Sequence, residues 1–175
     1  KDSDYADIKD RYLAESWNQE RKKILNKIMA NYRKAPYFEE TFPLIKKTLS
    51  FENINLFEYL LQSIRLTLEH LNIHTPIITS STLGVDKSLK SQDKIIAICH
   101  KMEASEYVNP IGGVTLYDKE YFSNQGIELF FLQSKKIKYQ QYNTSFIPSL
   151  SIIDILMFNS IDRVKSIVNE KYEYI

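Results

Sequence analysis

Hydrophobic residues recur at helical spacing through roughly the first seventy residues of the chain. In the first such segment the spaced residues are Trp17, Ile24, Leu25, Ile28 and Tyr32. This spacing predicts a helix, which ends before Pro36 because proline disfavours helical geometry in the residue before it. A second helix is predicted from Phe38 to Leu49 and a third over about 55–72. The sequence therefore predicts a helical region over residues 1–73.

After residue 73 the pattern changes to short apolar segments rich in β-branched and aromatic residues. Such segments are typical of strands; the predicted strands are Pro76–Ser80, Tyr107–Val108 and Ile127–Gln133. Helices are predicted between them, one beginning at Ser91 and one at Asp118, and Gly126 is expected to end the second in a left-handed conformation. We expect the core face of the first of these helices to carry Ile95, Ile98, Cys99 and Met102.

The alternation of strands and helices over residues 76–133 favours a parallel sheet with covering helices. We therefore predict an α/β fold with a small, mainly parallel sheet, covering helices and a helical N-terminal half. Helices are expected again over 150–172, after the capping box Ser151–Asp154. The whole chain, 1–175, is interpreted as a single α/β domain or as the C-terminal part of one.

Two features of the sequence suggest that the natural protein contains more than this chain. The chain begins with Lys1 rather than methionine. Three short strands are also few for an open sheet. We expect either a preceding segment that bears strands or pairing with another copy.

Charge and composition exclude several classes of protein. The chain has 23 Lys and Arg against 22 Asp and Glu, a net charge of +1, so its overall charge does not favour nucleic acid or an anionic membrane as a partner. No apolar segment reaches the roughly 18–20 residues of a membrane helix, and no signal peptide is visible. Cys99 is the single cysteine, so an internal disulfide is excluded. We predict a cytoplasmic location.

The loop Asn109–Gly113, followed by Tyr117, is the strongest candidate for ligand binding. It follows a predicted strand and precedes a predicted helix, and ligands of α/β sheets settle at the carboxyl ends of strands. Gly112 and Gly113 would let the backbone approach an anion closely. The alternative is an ordinary tight turn. If Gly113 lies against a phosphate, Gly113→Val should weaken ligand binding and leave the melting temperature within a few degrees.

Hydroxyl groups at the end of the first predicted strand form a second candidate. Ser80 and Ser81, with Thr79 and Thr82 on either side, could bind a phosphate or a sugar. The alternative is a local cap or turn, since serine and threonine often bond nearby backbone.

The candidates for acid–base chemistry are His100 and Asp154. His100 falls in the last turn of a predicted helix, and Asp154 has an alternative role in its capping box. Cys99 and His100 are adjacent on that helix, so their side chains diverge and a nucleophilic pair is not expected. The chain has a single cysteine, so it contains no C-x-x-C pair, and we predict no metal site.

Two basic segments could contact nucleic acid. One is the helix face from Arg21 to Lys34, and the other is Lys135–Tyr142, which mixes cations with aromatic rings. With a net charge near zero, an ordinary solvated surface is the simpler interpretation. Binding of tRNA stays open as the nucleic-acid alternative.

Several segments, taken in chain order, resemble the WbqC-like protein family. They are Trp17 with the following helix, Tyr32 to Phe38, Ser80-Ser81 with Leu83, Asn109 to Gly113 with Leu116-Tyr117, Phe122 ahead of Gly126-Ile127, Tyr139 with Gln140 or Gln141, Phe146, and Leu150 to Asp154. The resemblance extends from about residue 17 over nearly the whole chain. Family members also begin with a further segment that this sequence lacks.

The resemblance implies a role in bacterial O-antigen or other surface-polysaccharide biosynthesis. The implied reaction is transfer of an aminoacyl group, such as glycyl, or of another acyl group to a nucleotide-activated sugar or glycan precursor. Ser80, Ser81 and the Asn109–Gly113 loop would hold the nucleotide-linked sugar or the activated donor, which could be formed from ATP or be an aminoacyl-tRNA. The alternative is a non-catalytic binding module in a polysaccharide-assembly complex. Neither a cofactor nor an oligomeric state is defined by these residues.

Overall fold

The computed structural model describes residues 6–142 and 145–175 and contains helices and a small sheet. The helices are α1 (Trp17–Tyr32), α2 (Phe38–Leu49), α3 (Leu56–His70), α4 (Ser91–Lys101), α5 (Lys119–Ser123), α6 (Ile152–Phe158) and α7 (Ile161–Glu170). The strands are β1 (Glu106–Pro110), β2 (Glu128–Ser134) and β3 (Tyr172–Tyr174). Short 3-10 turns occupy Ile8–Asp10, Ser80–Thr82 and Ile111–Gly113. The first five residues of the predicted helical region lie outside the described residues.

The three strands form one mixed sheet in the order β1-β2-β3. β1 pairs with β2 in parallel, from Glu106 opposite Glu128 to Pro110 opposite Leu132. β3 pairs with β2 in the antiparallel sense over three residues. The predicted α/β class is confirmed, with a helical N-terminal half and a small sheet whose longer pairing is parallel.

The chain divides into two compact units. The first unit comprises residues 1–74 and 137–167, and the second comprises 75–136 and 168–175. The sheet, α4 and α5 belong to the second unit, and α1, α2, α3 and α6 belong to the first.

The core of the first unit is built by the apolar faces of α1, α2, α3, α6 and α7. Met157 and Val164 have no solvent exposure, and each is the centre of an apolar cluster. Thr41 is also buried, and its hydroxyl donates to the carbonyl of Leu156 at 3.0 Å. That bond satisfies the buried hydroxyl and fixes α2 against α6.

The core of the second unit surrounds Phe122 of α5, which has no solvent exposure. The other buried residues of this cluster are Ile96 and Cys99 of α4, Ile127, and Leu129 and Phe131 of β2. The local signals that delimit α5 are confirmed. The Asp118 side chain accepts hydrogen bonds from the first turn, and Gly126 has a φ of +75°.

The predicted strand Pro76–Ser80 is wrong. Residues 75–79 form no strand, and Ser80–Thr82 form a 3-10 turn. Ile77 and Ile78 are 40% and 51% exposed. Their β-branched side chains favour a strand, but a strand also requires a partner, and residues 75–79 pair with none. The third strand of the sheet is instead β3, which the sequence analysis did not predict.

The predicted core face of α4 is only partly right. Cys99 and Ile96 are the buried residues of this helix, whereas Met102 is 40% exposed. Ile95 is half-buried and packs at the edge of the core. The buried stripe is therefore rotated by about one residue from the predicted one.

Among the described residues, no helix is both long and apolar enough to cross a membrane.

Candidate functional site

The loop after β1 is held in shape by the Asn109 side chain. The Tyr107 hydroxyl donates to Asn109 Oδ1 at 3.1 Å, and Asn109 Nδ2 donates to the carbonyl of Pro110 at 3.2 Å. The chain then turns through the 3-10 segment Ile111–Gly113. The Asn109 side chain therefore folds back onto its own loop and stabilises the turn. This is the role that an ordinary tight turn would give it.

The two glycines of this loop have different surroundings. Gly113 is buried, and a Cβ atom there would overlap the Asn109 amide and lie 3.2 Å from the Tyr117 ring. Gly112 is exposed, and a Cβ atom there would meet nothing within 4 Å. Close packing thus explains why position 113 is a glycine. Gly112 is the glycine whose backbone a ligand could approach. The expectation for Gly113→Val changes accordingly, because the substitution would disturb the fold of the loop.

Aromatic side chains support the loop from the core. The Tyr117 ring packs edge-on against Tyr107 and Phe122, with centroid distances of 6.2 Å and 5.9 Å. Burial, followed by the nearby Tyr117, raises the pKa of Tyr107. Tyr107 therefore keeps its proton and its hydrogen bond to Asn109 through the neutral pH range.

Ser80 and Ser81 are exposed in a 3-10 turn of their own. Thr82 closes this turn by donating from its hydroxyl to the carbonyl of Thr79 at 2.8 Å. Within the described residues, no hydrogen bond joins Ser80 or Ser81 to the loop after β1. The structure does not bring these two predicted sites together.

His100 is exposed at the end of α4, with Nε2 3.0 Å from the carbonyl oxygen of Gln125. A carbonyl oxygen only accepts hydrogen bonds, so this contact places the proton on Nε2 and leaves Nδ1 as an acceptor. Gln125 precedes the start of β2, whereas the loop at Asn109 follows the end of β1. Because these strands are parallel, His100 and the loop lie at opposite ends of the pair.

A cavity of about 520 Å³ lies at the amino ends of β1 and β2, and the sequence analysis missed it. Its lining consists of Ser105, Lys119, Ser123, Gly126, Ile127, Glu128, Leu129 and Phe130. Lys119 Nζ lies 5.8 Å from the centroid of the Phe131 ring. Across the described part of the chain, neither Lys119 nor Glu128 forms an ion pair, so the cavity combines two opposite charges with two hydroxyls and an apolar wall.

His100 belongs to the same end of the sheet as this cavity. Its partner Gln125 is the chain neighbour of Gly126, which lines the cavity. No single segment signalled the cavity, because its polar residues come from the start of β1, from α5 and from the start of β2. Only the parallel pairing of β1 with β2 brings those segments together.

Asp154 is 4% exposed and is the acceptor of a hydrogen-bonded cluster in the first unit. Tyr32 Oη donates to Oδ2 at 2.9 Å, and Tyr139 Oη and Gln141 Nε2 donate to Oδ1 at 2.6 Å and 2.8 Å. Gln141 also exchanges two hydrogen bonds with the backbone of Ile147. Asp154 thereby ties α1, Tyr139 and Gln141 to α6.

This cluster corrects the predicted capping role of Asp154. Ser151 does cap α6, since its hydroxyl accepts from the backbone N–H of Ile153 at 3.3 Å. The carboxylate turns inward to its three side-chain donors instead of returning to the backbone N–H of Ser151. Asp154 is 4% exposed and its carboxylate accepts three side-chain hydrogen bonds, so a substrate has little access to it.

The tyrosines around Asp154 hold their protons firmly. Burial and then the hydrogen bond to Asp154 raise the pKa of Tyr32 to about 12, and the same causes raise the pKa of Tyr139 to about 12. Both phenols therefore remain donors at neutral pH, and the cluster stays intact there.

Neither thiol chemistry nor a metal ligand set stands out in the described residues. Burial raises the pKa of the Cys99 thiol, which suits a core side chain better than a nucleophile. Over residues 6–142 and 145–175, no three His, Cys, Asp or Glu side chains are grouped so that they could hold a metal ion.

Comparison with known proteins places the chain in a family. No curated protein and no solved structure matches it. The sequence profile of the WbqC-like protein family matches residues 1–166, which is nearly the full length and begins earlier than the segments that carried the resemblance. The predicted resemblance is confirmed, and the chain belongs to the WbqC-like protein family.

Proposed function

We propose that this WbqC-like protein acts in bacterial surface-polysaccharide biosynthesis as a transferase. It moves an aminoacyl group, such as glycyl, or another acyl group to a nucleotide-activated sugar or glycan precursor. The observation that carries the proposal is the cavity at the amino ends of β1 and β2. Its volume of about 520 Å³ falls within the usual range of small-molecule sites.

The lining of the cavity suits a polar ligand with an apolar part. Lys119 supplies a positive charge for a phosphate or carboxylate of the ligand, and Glu128 supplies an acceptor for hydroxyl or amino groups. The hydroxyls of Ser105 and Ser123 can both donate and accept. The apolar residues of the lining are Ile127, Leu129 and Phe130.

His100 is the better supported of the two acid–base candidates. In acyl transfer, a sugar hydroxyl or amine attacks the carbonyl carbon of the donor, a new ester or amide bond forms, and the leaving group of the donor departs. The proton of the acceptor must go to a base, and we assign this role to Nδ1 of the neutral His100 ring, which has no hydrogen-bond partner among the described residues. Asp154 accepts three hydrogen bonds and acts as a positioning residue for Tyr32 of α1, Tyr139 and Gln141.

The loop after β1 is proposed as a second contact surface for ligand. Gly112 offers open backbone there, and Asn109 and Tyr117 hold the loop in place together with Gly113. Ser80 and Ser81 are proposed as further ligand contacts from their own turn.

One observation favours the alternative of a non-catalytic binding module. Ile111, Val114 and Leu116 around the same loop are 39%, 46% and 64% exposed. Exposed apolar groups that lie close together mark protein-binding surfaces. On this alternative, the loop contacts another component of a polysaccharide-assembly complex.

Thermal-shift measurements on the full chain test the proposal. The panel holds nucleotide-linked amino sugars, ATP with free amino acids, and acyl-coenzyme A. A ligand at a hundredfold excess over its Kd stabilises the folded state by about 2.7 kcal/mol. We expect one class to raise the melting temperature of the wild type.

Matched variants then locate the ligand. The shift should be lost in Lys119→Gln and kept in Lys94→Gln, which removes an exposed lysine of α4. A shift that is lost in Gly112→Leu and kept in Lys119→Gln would assign the ligand to the loop instead. If no class shifts the wild type, the transferase proposal is contradicted and the binding module is favoured.

A further inference from the structure

Two side chains of the first unit whose rings are in contact each carry a buried hydrogen-bonding group with no partner among the described residues. Trp17 Nε1 and Tyr59 Oη are both buried, and neither has a hydrogen-bond partner within residues 6–142 and 145–175. The two rings are perpendicular, with centroids 5.5 Å apart, and Tyr59 is only 8% exposed. Because buried polar groups nearly always find a partner, two such groups on neighbouring side chains point to an acceptor that the described residues do not supply.

Arg21 adds a positive charge to the same place. It follows Trp17 by one helical turn, so both side chains project from the same side of α1. Its guanidinium reaches only the carbonyls of Leu49 and Phe51, each at 3.5 Å, and it forms no ion pair with any described residue. Burial raises the pKa of Tyr59, and the nearby positive charge of Arg21 opposes that rise.

We propose that Trp17, Arg21 and Tyr59 form a binding site for a small monovalent carboxylate. The indole and guanidinium groups only donate hydrogen bonds, and the phenol can donate one as well. An acceptor with two oxygens and one negative charge therefore completes the set, and the planar guanidinium matches a carboxylate in two hydrogen bonds.

The charge and the walls of the site narrow the class of ligand. A single arginine balances a single negative charge, whereas a divalent phosphate would leave one charge uncompensated in a buried place. The Phe51 and Tyr59 rings pack at 6.2 Å and form an apolar wall. A short aliphatic acid fits these surroundings. This site is separate from the proposed transfer reaction and does not depend on it.

Tryptophan fluorescence reports on the site directly, because Trp17 is the single tryptophan of the chain. The full chain is titrated with acetate and with propionate at constant ionic strength, with sulfate and phosphate as comparison anions. We expect a saturable change in the wild type with the carboxylates. Arg21→Gln should weaken this binding by roughly tenfold or more, as expected for the loss of a charge-assisted hydrogen bond. Arg65→Gln, which removes an exposed arginine of α3, should leave it unchanged.

Melting temperatures of Tyr59→Phe provide a second measurement. Without carboxylate this variant should be at least as stable as the wild type, because it loses a buried hydroxyl that has no partner. With carboxylate only the wild type should gain stability. The proposal is overturned if the wild type shows no saturable response to the carboxylates, if Tyr59→Phe responds equally, or if sulfate or phosphate binds and the carboxylates do not.

Discussion

Tyr32 and Tyr139 make the stability of the fold depend on pH above the neutral range. Burial and the hydrogen bond to Asp154 raise the pKa of each to about 12, from a usual value near 10. A raised pKa contributes stability that is fully present below the pKa of the unfolded chain and is lost as the pH rises through the folded value. We therefore expect the free energy of unfolding to fall between about pH 10 and pH 12, as measured by urea denaturation.

Phenylalanine variants isolate this effect from the other groups that titrate at high pH. The double variant Tyr32→Phe, Tyr139→Phe removes both phenols, so its free energy of unfolding should fall less over the same range. Tyr12→Phe is the matched control, because Tyr12 is 66% exposed. Equal pH dependence in the wild type and the double variant would contradict the assignment.

The surroundings of Asp154 show which contacts of a single residue can be predicted from sequence and which cannot. The spacing of Ser151 and Asp154 correctly signalled the start of α6, because a cap depends on neighbours three residues apart. It could not reveal Tyr32, which is 122 positions away along the chain. Such a partner is chosen by the packing of α1 against α6, so the carboxylate was assigned a local role that it does not have.

At the scale of elements, the loop after β1 yields a prediction about its two glycines. Gly113→Ala should lower the free energy of unfolding by about 1–3 kcal/mol, because the added methyl group overlaps the Asn109 amide in a filled space. Gly112→Ala should change it by less than about 1 kcal/mol, since that position is open. Urea denaturation of both variants measures the difference.

A double variant shows whether Asn109 is the cause. In an Asn109→Ala background the overlap is removed, so Gly113→Ala should cost less than it does in the wild type. If the cost is the same in both backgrounds, the Tyr117 ring or the backbone is responsible instead, and the role assigned to Asn109 is wrong.

Elements were predicted well where their signal is local. The helices α1 and α2 carry a long helical period, and α2 has the predicted bounds. A strand forms only with a pairing partner, and the hydrophobic pattern of a segment does not identify that partner. Residues 76–80 have strand-like composition but pair with nothing, whereas the three residues of β3 are too few to give a period and pair with β2.

At the scale of the whole molecule, each of the two units has its own core. The clusters around Met157 and Val164 contain only residues of the first unit. The cluster around Phe122 contains only residues of the second unit. The sequence predicted Cys99 as a core residue but did not predict Ile96 or Phe122 as one. It could not predict that the candidate cavity belongs to one unit and Asp154 to the other, because neither unit is continuous in sequence and the chain passes between them after His74, Lys136 and Ile167.

Separate cores lead us to expect that a core substitution in the second unit loosens that unit more than the first. Phe122→Ala removes a ring with no solvent exposure, a change that typically costs about 3–5 kcal/mol. Amide hydrogen exchange followed by mass spectrometry should then accelerate strongly in β1 and β2 and much less in α2, because opening of one cooperative unit does not require global unfolding. Met157→Ala in the first unit is the reciprocal variant and should reverse the pattern. Equal acceleration in α2 and β2 for both variants would mean that the chain unfolds as one cooperative unit. In that case the effects of loop, cavity and Asp154 variants on stability would have to be interpreted together.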